Sequence, residues 1–348
     1  MIGGGVIGLA TAVELRRAGL EVAVIDKGEP GREASYAAGG MIADLDPSLP
    51  EILRPLAHAS AALYPEFVHL LEDESGLKID FRTQGTIAFV EHAVAEGAGV
   101  RALKPEQVHE LEAAIRPPHD PAYFVRENAV DPRDLVAALL ATLRYREVEF
   151  VTGSKAVEVL AENECAVGVR TERASYHAKA VVNCAGAWAA QIAPLAIPTR
   201  PVKGHMLSLV FTEAPAEPVL QHVVRSRWCY ILPRSTGKYV VGSTVEPAGF
   251  DKSVNAYRVK RLQDAAIQLV PKFAEARIHE AWAGLRPGTP DNLPVIGEMS
   301  LRNYFACTGH YRDGILLAPA SARAAAQLVQ RKDCDWELAA FTPKRFNL

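Results

Sequence analysis

Met1-Ile2-Gly3-Gly4-Gly5-Val6-Ile7-Gly8 opens the chain, and Gly19-Leu20-Glu21-Val22-Ala23-Val24-Ile25-Asp26 follows one helix-length later. Glycines 3, 5 and 8 make the spacing G-x-G-x-x-G. Val6, Leu9, Ala10 and Val13 repeat at i, i+3, i+4 and i+7, which predicts a helix over about 5–18. Gly19 is placed to stop it. Val22–Ile25 is an unbroken apolar run, as expected of a strand buried on both faces of a parallel sheet. Asp26 ends that strand. Each part has a task in a dinucleotide site. Gly3 permits the tight turn, Gly5 lets a pyrophosphate approach the backbone, and Gly8 lets helix pack on sheet. The helix N-terminus offers free N–H groups and the positive end of its dipole. Asp26 is placed to accept from ribose hydroxyls. Only Met1 and Ile2 precede the glycines, so the first strand is expected to be almost missing, at a cost to core and cofactor site.

Ala34-Ser35-Tyr36-Ala37-Ala38-Gly39-Gly40-Met41-Ile42 is small and nearly chargeless, suited to close approach of a large flat ligand or to a flexible loop. Further on, 55–76 reads as a helix, 84–90 as a strand and 104–115 as a short helix. Asp131-Pro132-Arg133-Asp134 is a helix start, running to about Tyr145. Strands are expected at 148–151 and 156–160. Val181–Trp188 reads as a buried strand ending in a turn at Gly186. That turn is either a second strand end aimed at the cofactor or a plain strand-to-helix connection. Residues 198–204 read as an interdomain crossing. Trp228–Leu232 and Lys238–Thr244 flank a glycine-containing loop, a hairpin signature, and 254–270 is helical.

Two late segments bear on chemistry. Ala281–Pro290 sets Arg286 among apolar residues and turn formers. A buried arginine needs a partner, and its planar fork suits a carboxylate; an internal Arg–Asp/Glu pair is the alternative. Phe305–Leu317 reads strand, glycine loop, helix start, with Pro319 in the first turn. A helix N-terminus there would stabilise negative charge on a reduced ring, and Arg312 serves ring, substrate or surface.

The 348 residues suggest about two domains, and 49% apolar content excludes wholesale disorder. A net charge of −3 gives no footprint for nucleic acid or anionic lipid. No apolar run approaches the roughly 18 residues of a membrane span, and the opening residues do not read as a secretory leader. Five scattered cysteines never fall as C-x-x-C, and no H-E-x-x-H occurs, so neither a disulfide scaffold nor a metal site is expected. The expectation is a reduced, cytoplasmic globular protein.

Taken together, Trp-Ala-Gly-Leu-Arg-Pro-Gly-Thr (282–289), Gly-His-Tyr-Arg-Asp-Gly-Ile-Leu-Leu-Ala-Pro-Ala (309–320), Pro-Val-Lys-Gly (201–204) and Cys-Tyr-Ile-Leu-Pro-Arg (229–234) resemble the FAD enzymes of the D-amino-acid oxidase superfamily. Nearest are the glycine oxidases linked to thiazole (thiamine) synthesis. The resemblance covers almost the whole chain. It implies an α/β fold: a Rossmann-like FAD-binding domain of the glutathione-reductase/D-amino-acid-oxidase type with an antiparallel-sheet substrate domain. The cofactor domain would be discontinuous (1–75, 131–200 and 283–348) and the substrate domain would comprise 76–130 and 201–282. FAD would be noncovalent, since 286–299 lacks the cysteine through which sarcosine-oxidase relatives tether theirs. Its contacts would fall at Val6, Ile7, Asp26, Lys27, Ala34, Ser35, Gly39, Gly40, Met41, Val157 and the loop His310, Tyr311, Arg312, Asp313, Gly314, Ile315, Leu316. These join the motif glycines Gly3, Gly5 and Gly8 and the turn at Gly186.

By the same resemblance, Arg286 clamps the substrate carboxylate, Tyr230 orients it and Arg312 is a second substrate-site arginine. Hydride would pass from Cα of glycine or a small amine to FAD. The imine would hydrolyse to a 2-oxo acid and ammonia, and oxygen would take the electrons as hydrogen peroxide. A homo-oligomer is implied. Two other readings stand beside this one: a D-amino-acid or sarcosine-type oxidase, or dehydrogenase, of the same superfamily; and a flavin-poor binding or scaffold subunit, should the short first strand fail.

Overall fold

Ile2 holds the place of a whole strand. In the computed structural model, which describes residues 1–348 except 92, 93, 95, 98 and 214, Ile2 bridges in parallel to both Ile25 and Asn183. Its N–H donates to the Val182 carbonyl at 2.9 Å, and its carbonyl accepts from Cys184 N–H at 2.7 Å. Ile25 N–H donates to the Met1 carbonyl at 2.9 Å and Gly3 N–H to the Ile25 carbonyl at 2.8 Å. The central slot of the sheet, expected to be almost empty, is filled by Ile2. The flanking strands supply partners on both sides, which two residues need in order to act as a strand.

Around Ile2 the sheet runs Glu149–Val151, Ala23–Ile25, Ile2, Val181–Asn183, Tyr304–Thr308, Val295–Glu298. Only the last pairing is antiparallel. Side chains alternate between two layers, as strand geometry requires. Phe305 and Cys307 enter the core shared with helices Val6–Arg17, Arg54–Ser75, Pro132–Tyr145 and Ala318–Val329. Tyr304 and Ala306 enter a second core, shared with Val159 and Val169 of an antiparallel meander Ala156–Glu162, Cys165–Thr171, Ser175–His177. The Pro132–Tyr145 helix starts where its sequence says. Asp131 accepts from Arg133 N–H at 2.8 Å, and proline takes the first helical position.

The second sheet has eight strands in the order Arg277–Gly288, Arg200–Val210, Tyr239–Gly242, Tyr230–Pro233, Val223–Arg225, Thr86–Phe89, Ala122–Val125, Val100–Leu103. It is antiparallel, as expected, except where Val223–Arg225 meets Thr86–Phe89 in parallel. Those two strands come from separate chain segments, so no hairpin fixes their relative direction. The Ala256–Leu269 helix, capped by Asn255, closes the core of this sheet.

Two further readings are corrected. Residues 198–204 are not a bare crossing: Arg200–Val210 is an 11-residue strand paired along its length with Arg277–Gly288. Pro201 and Pro287 face each other near its start, where a missing N–H is tolerated. The 104–115 helix shortens to Pro105–Leu111.

Candidate active site

A cavity of about 1050 Å3 opens between the two sheets. Ligand sites are commonly about 300–1,000 Å3, so this one is large enough for a dinucleotide with a small substrate beside it. Its wall brings together residues far apart in sequence: Gly3, Gly5–Ile7 and Asp26 from the start, Ala37–Met41, Tyr230, Arg286, and the loop 309–316 near the end.

At the glycine end the backbone is folded tightly. Gly3 has φ +94°, and a Cβ there would lie 2.5 Å from the Cys184 carbonyl oxygen. A Cβ on Gly8 would meet the Gly3 carbonyl and lie 3.2 Å from Cys184 Cβ. Ser35 accepts from Val6 N–H at 2.8 Å. Ile7, on the cavity wall, has an N–H that donates to no protein acceptor among the described residues and so is free for phosphate. Asp26 accepts from Gly4 N–H at 2.7 Å through one oxygen and from Gly28 N–H at 2.8 Å through the other. Each oxygen keeps a lone pair for a ribose hydroxyl. Lys27 sits 3.5 Å over the Trp188 ring and pairs with Glu33 at 3.0 Å.

The loop His310–Leu316 forms the opposite wall. Ile315 and Leu316 are buried, yet their N–H groups have no protein acceptor among the described residues. Buried N–H groups are rarely left so, and here they face a cavity that a ring with carbonyl oxygens would fill. The loop is braced from behind. Tyr64 donates to the Ile315 carbonyl, Ser60 accepts from Ala320 N–H at 3.2 Å, and the His310 ring meets Ser321 Oγ at 2.9 Å. Burial takes the His310 pKa down to about 3, so its ring is neutral. Burial also pushes the half-buried Asp313 carboxyl up to about 7, with Asp46 adding to the rise and Arg312 opposing it.

Arg286 and Tyr230 occupy the substrate-domain side. The half-buried Arg286 donates to the Thr244 carbonyl at 3.1 Å and to Ser243 Oγ at 2.6 Å. Burial lowers its pKa below the ordinary value; Tyr230 opposes that shift and Arg312 adds to it. Among the described residues neither Arg286 nor Arg312 has a carboxylate oxygen within 4.0 Å, so the internal ion pair considered for Arg286 is not present. The side chains lie on glycine seats. A Cβ on Gly204 would be 2.6 Å from the Arg286 Cζ, and one on Gly39 would be 2.8 Å from the Tyr230 ring. Tyr230 OH donates to Met206 Sδ at 3.2 Å, a weak acceptor, and lies against the Arg286 guanidinium. Arg312 is on the wall but exposed to solvent, 5.3 Å over the Tyr311 ring.

Of the residues expected at the site, all but two line this cavity: Gly3, Gly5, Val6, Ile7, Asp26, Lys27, Ala34, Ser35, Gly39, Gly40, Met41, Gly186, Tyr230, Arg286 and His310 through Leu316. Gly8 lies behind the wall, where its lack of a side chain serves packing. Val157 is off the wall; its carbonyl accepts from Ala193 N–H at 3.0 Å, and Lys155 and Ala156 take its place. Sequence reasoning missed the residues that hold the wall. Arg234, buried, donates to the carbonyls of Gly39 at 2.5 Å and Val130 at 3.2 Å. Ser243 and Thr244 hold Arg286, and Tyr64 holds the end loop.

The donors therefore fit FAD. The Val6–Arg17 helix N-terminus would take the pyrophosphate, Asp26 the ribose, and the 39–41 stretch with the 313–316 amides the ring. A match to family profiles agrees: residues 1–328 match the FAD dependent oxidoreductase family, DAO. The chain belongs to this family; FAD is its cofactor, and it is an oxidoreductase of the glycine-oxidase type. It is similar to a bifunctional protein ThiO/ThiG of Trichormus variabilis, 34% identical over 99% of this chain and 54% of that protein, so it spans about half of that relative's length. It is 31% identical to the hydrogen cyanide synthase subunit HcnC of Pseudomonas aeruginosa, over 99% of this chain and 95% of that one. Among solved structures, glycine oxidase from Geobacillus kaustophilus superposes with a TM-score of 0.91 at 32% identity, covering 98% of this chain and 96% of that chain. No helix among the described residues is long and apolar enough to cross a membrane.

Proposed function

We propose that the protein oxidises the amine of glycine, or of a similarly small amino acid, and releases the 2-oxo acid and ammonia. For glycine the balance is glycine + H2O + O2 → glyoxylate + NH3 + H2O2. The likeness to ThiO/ThiG supports thiazole (thiamine) synthesis as the setting.

One observation carries this reading: Arg286 stands in the cavity wall with neutral acceptors only. A guanidinium has five N–H donors. Two are engaged, which leaves three for a carboxylate. Tyr230 OH, beside Arg286 and donating to a thioether, exchanges that weak donor contact for a carboxylate oxygen at little cost. Arg286 and Arg312 place two positive charges near one another. Their field disfavours an ammonium and so promotes the neutral amine that oxidation requires. No protein base need touch Cα, and FAD bound along the wall supplies the electron acceptor. The residues of this chain hold, orient and deprotonate by field.

A panel of glycine, sarcosine and D-alanine, with peroxide and 2-oxo acid both measured, tests the substrate. Turnover of glycine that falls at least about thirtyfold in kcat/KM for Arg286→Ala is expected, from the loss of a charge-assisted carboxylate contact of about 2–5 kcal/mol. Unchanged kinetics in that variant would reject the clamp. A second reading keeps site and cofactor and changes the acceptor: a dehydrogenase that passes electrons to a quinone. Substrate-dependent dye or quinone reduction without peroxide would select it.

A further inference from the structure

The Arg200–Val210 strand presents successive residues to opposite sides. Gly204 faces the Arg286 guanidinium. Its neighbours Lys203 and His205 point the other way, and both are buried. They reach residues 243–255, the segment that carries both acceptors of Arg286. Three backbone hydrogen bonds tie the start of this segment to the strand, Thr244 N–H to the His205 carbonyl at 3.4 Å and the reciprocal pair of Lys203 and Glu246 at 2.9 Å. Side chains add the remaining ties. Lys203 Nζ donates to Asp251 at 2.9 Å. The His205 ring, 0% exposed, accepts from Asn255 N–H at 3.0 Å through Nε2. Nδ1 therefore carries the proton of a neutral ring and faces Glu246 Oε1 at 3.0 Å and Thr244 Oγ1 at 3.1 Å. Thr244 Oγ1 accepts from His205 N–H at 2.9 Å and donates to Glu246 at 2.7 Å. The Thr244 carbonyl then meets Arg286 at 3.1 Å.

We propose that His205 is a positioning residue for Arg286, and that it acts through Thr244 to set affinity for the substrate carboxylate. The proposal rests on the clamp reading of Arg286. His205 touches neither substrate nor cofactor wall. Its ring fixes both ends of the 244–255 segment, at Thr244 and at Asn255, and so fixes the carbonyl that aims the guanidinium. An arginine without an acidic partner depends wholly on such neutral acceptors for its direction, and a displacement near 1 Å costs about a hundredfold in a positioned reaction.

The test compares His205→Ala, His205→Asn, Thr244→Val and Arg286→Ala in FAD-loaded protein. Readouts are kcat and KM for glycine, the dissociation constant of FAD, and binding of acetate followed by the visible flavin spectrum. His205→Ala is expected to raise KM for glycine and the acetate dissociation constant at least about tenfold, the scale of one lost hydrogen bond. It should change kcat less than about threefold and leave FAD affinity unaltered. The carboxamide of His205→Asn stands in for the Nδ1 donor and should recover most of the loss. Thr244→Val removes only the hydroxyl link and should act in the same direction, should the alanine variant not fold. A KM effect in Arg286→Ala with none in His205→Ala or Thr244→Val would overturn the positioning role and leave the clamp standing. No effect in any of these variants would overturn the clamp itself. Equal losses of FAD and acetate affinity in His205→Ala would show a general structural role and also overturn the proposal.

Discussion

Gly204→Ala puts one methyl group against the substrate arginine. The added Cβ would lie 2.5 Å from Arg286 Nη2 and 2.6 Å from Cζ. Ordinary contact begins near 3.4 Å, so the guanidinium must retreat by about 1 Å, and it has the cavity to retreat into. The strand itself has no objection to alanine. Gly204 pairs with Gly284 in regular antiparallel register and has no left-handed φ. Alanine there gains of order 0.5–1 kcal/mol from a less flexible unfolded chain. A retreat of 1 Å breaks the aim set by Ser243 and Thr244, and misplacement of that size costs about a hundredfold, or about 2.7 kcal/mol. The assay is kcat/KM for glycine beside thermal melting and FAD titration. A fall of roughly a hundredfold, mostly in KM, with an undiminished Tm and unchanged FAD affinity, is the expected result. Gly28→Ala, whose added Cβ meets nothing nearer than 3.9 Å, serves as the control. Wild-type kinetics in Gly204→Ala would refute the seat beneath Arg286 and the clamp geometry with it.

The remaining predictions concern the end loop. His310 titrates near 3 when folded, because burial disfavours the imidazolium, and near 6.5 when unfolded. Below pH 6.5 the unfolded chain takes a proton the folded one refuses, so stability present at neutral pH is lost as pH falls toward 3. At pH 5 the loss is about 2 kcal/mol. Denaturant titrations at pH 7 and 5 should show His310→Gln losing less over this window than the wild type, and parallel losses would contradict the assignment. Tyr64→Phe removes one of the two donors to the buried Ile315 carbonyl and leaves Ala318 N–H at 3.2 Å. It should cost about 0.5–1.5 kcal/mol and weaken FAD binding, because the same loop carries the free amides; a variant as stable and as well loaded as the wild type would remove Tyr64 from the account.

The two ends of the fold were legible because their signals are local. Glycine spacing, helical period and a strand-ending acid sit within Gly3–Asp26, and the strand, glycine loop and Pro319 sit within Phe305–Pro319. The Arg277–Gly288 strand was hidden by residues that usually mark turns. Its Gly284 is small because Ala37 packs against it, and its Pro287 faces Pro201. Arg200–Val210 was masked by the same proline pairing. That Ile2 would still fill the central slot was not legible, because its place rests on hydrogen bonds with Val182 and Cys184 and on those of Met1 and Gly3 with Ile25, and none of these can be read from two residues. The supports of the site were out of reach for a similar reason. Arg234 meets Gly39 across 195 positions and Tyr64 meets Ile315 across 251. No spacing rule spans such distances.

The most direct test of the whole account is a crystal structure of the FAD-loaded protein with acetate or glycine bound under anaerobic conditions. The account predicts the ring between residues 39–41 and 313–316, with the carboxylate bonded to Arg286 and Tyr230 beside it. A carboxylate bound elsewhere, with Arg286 still turned only to Ser243 and Thr244, would contradict it.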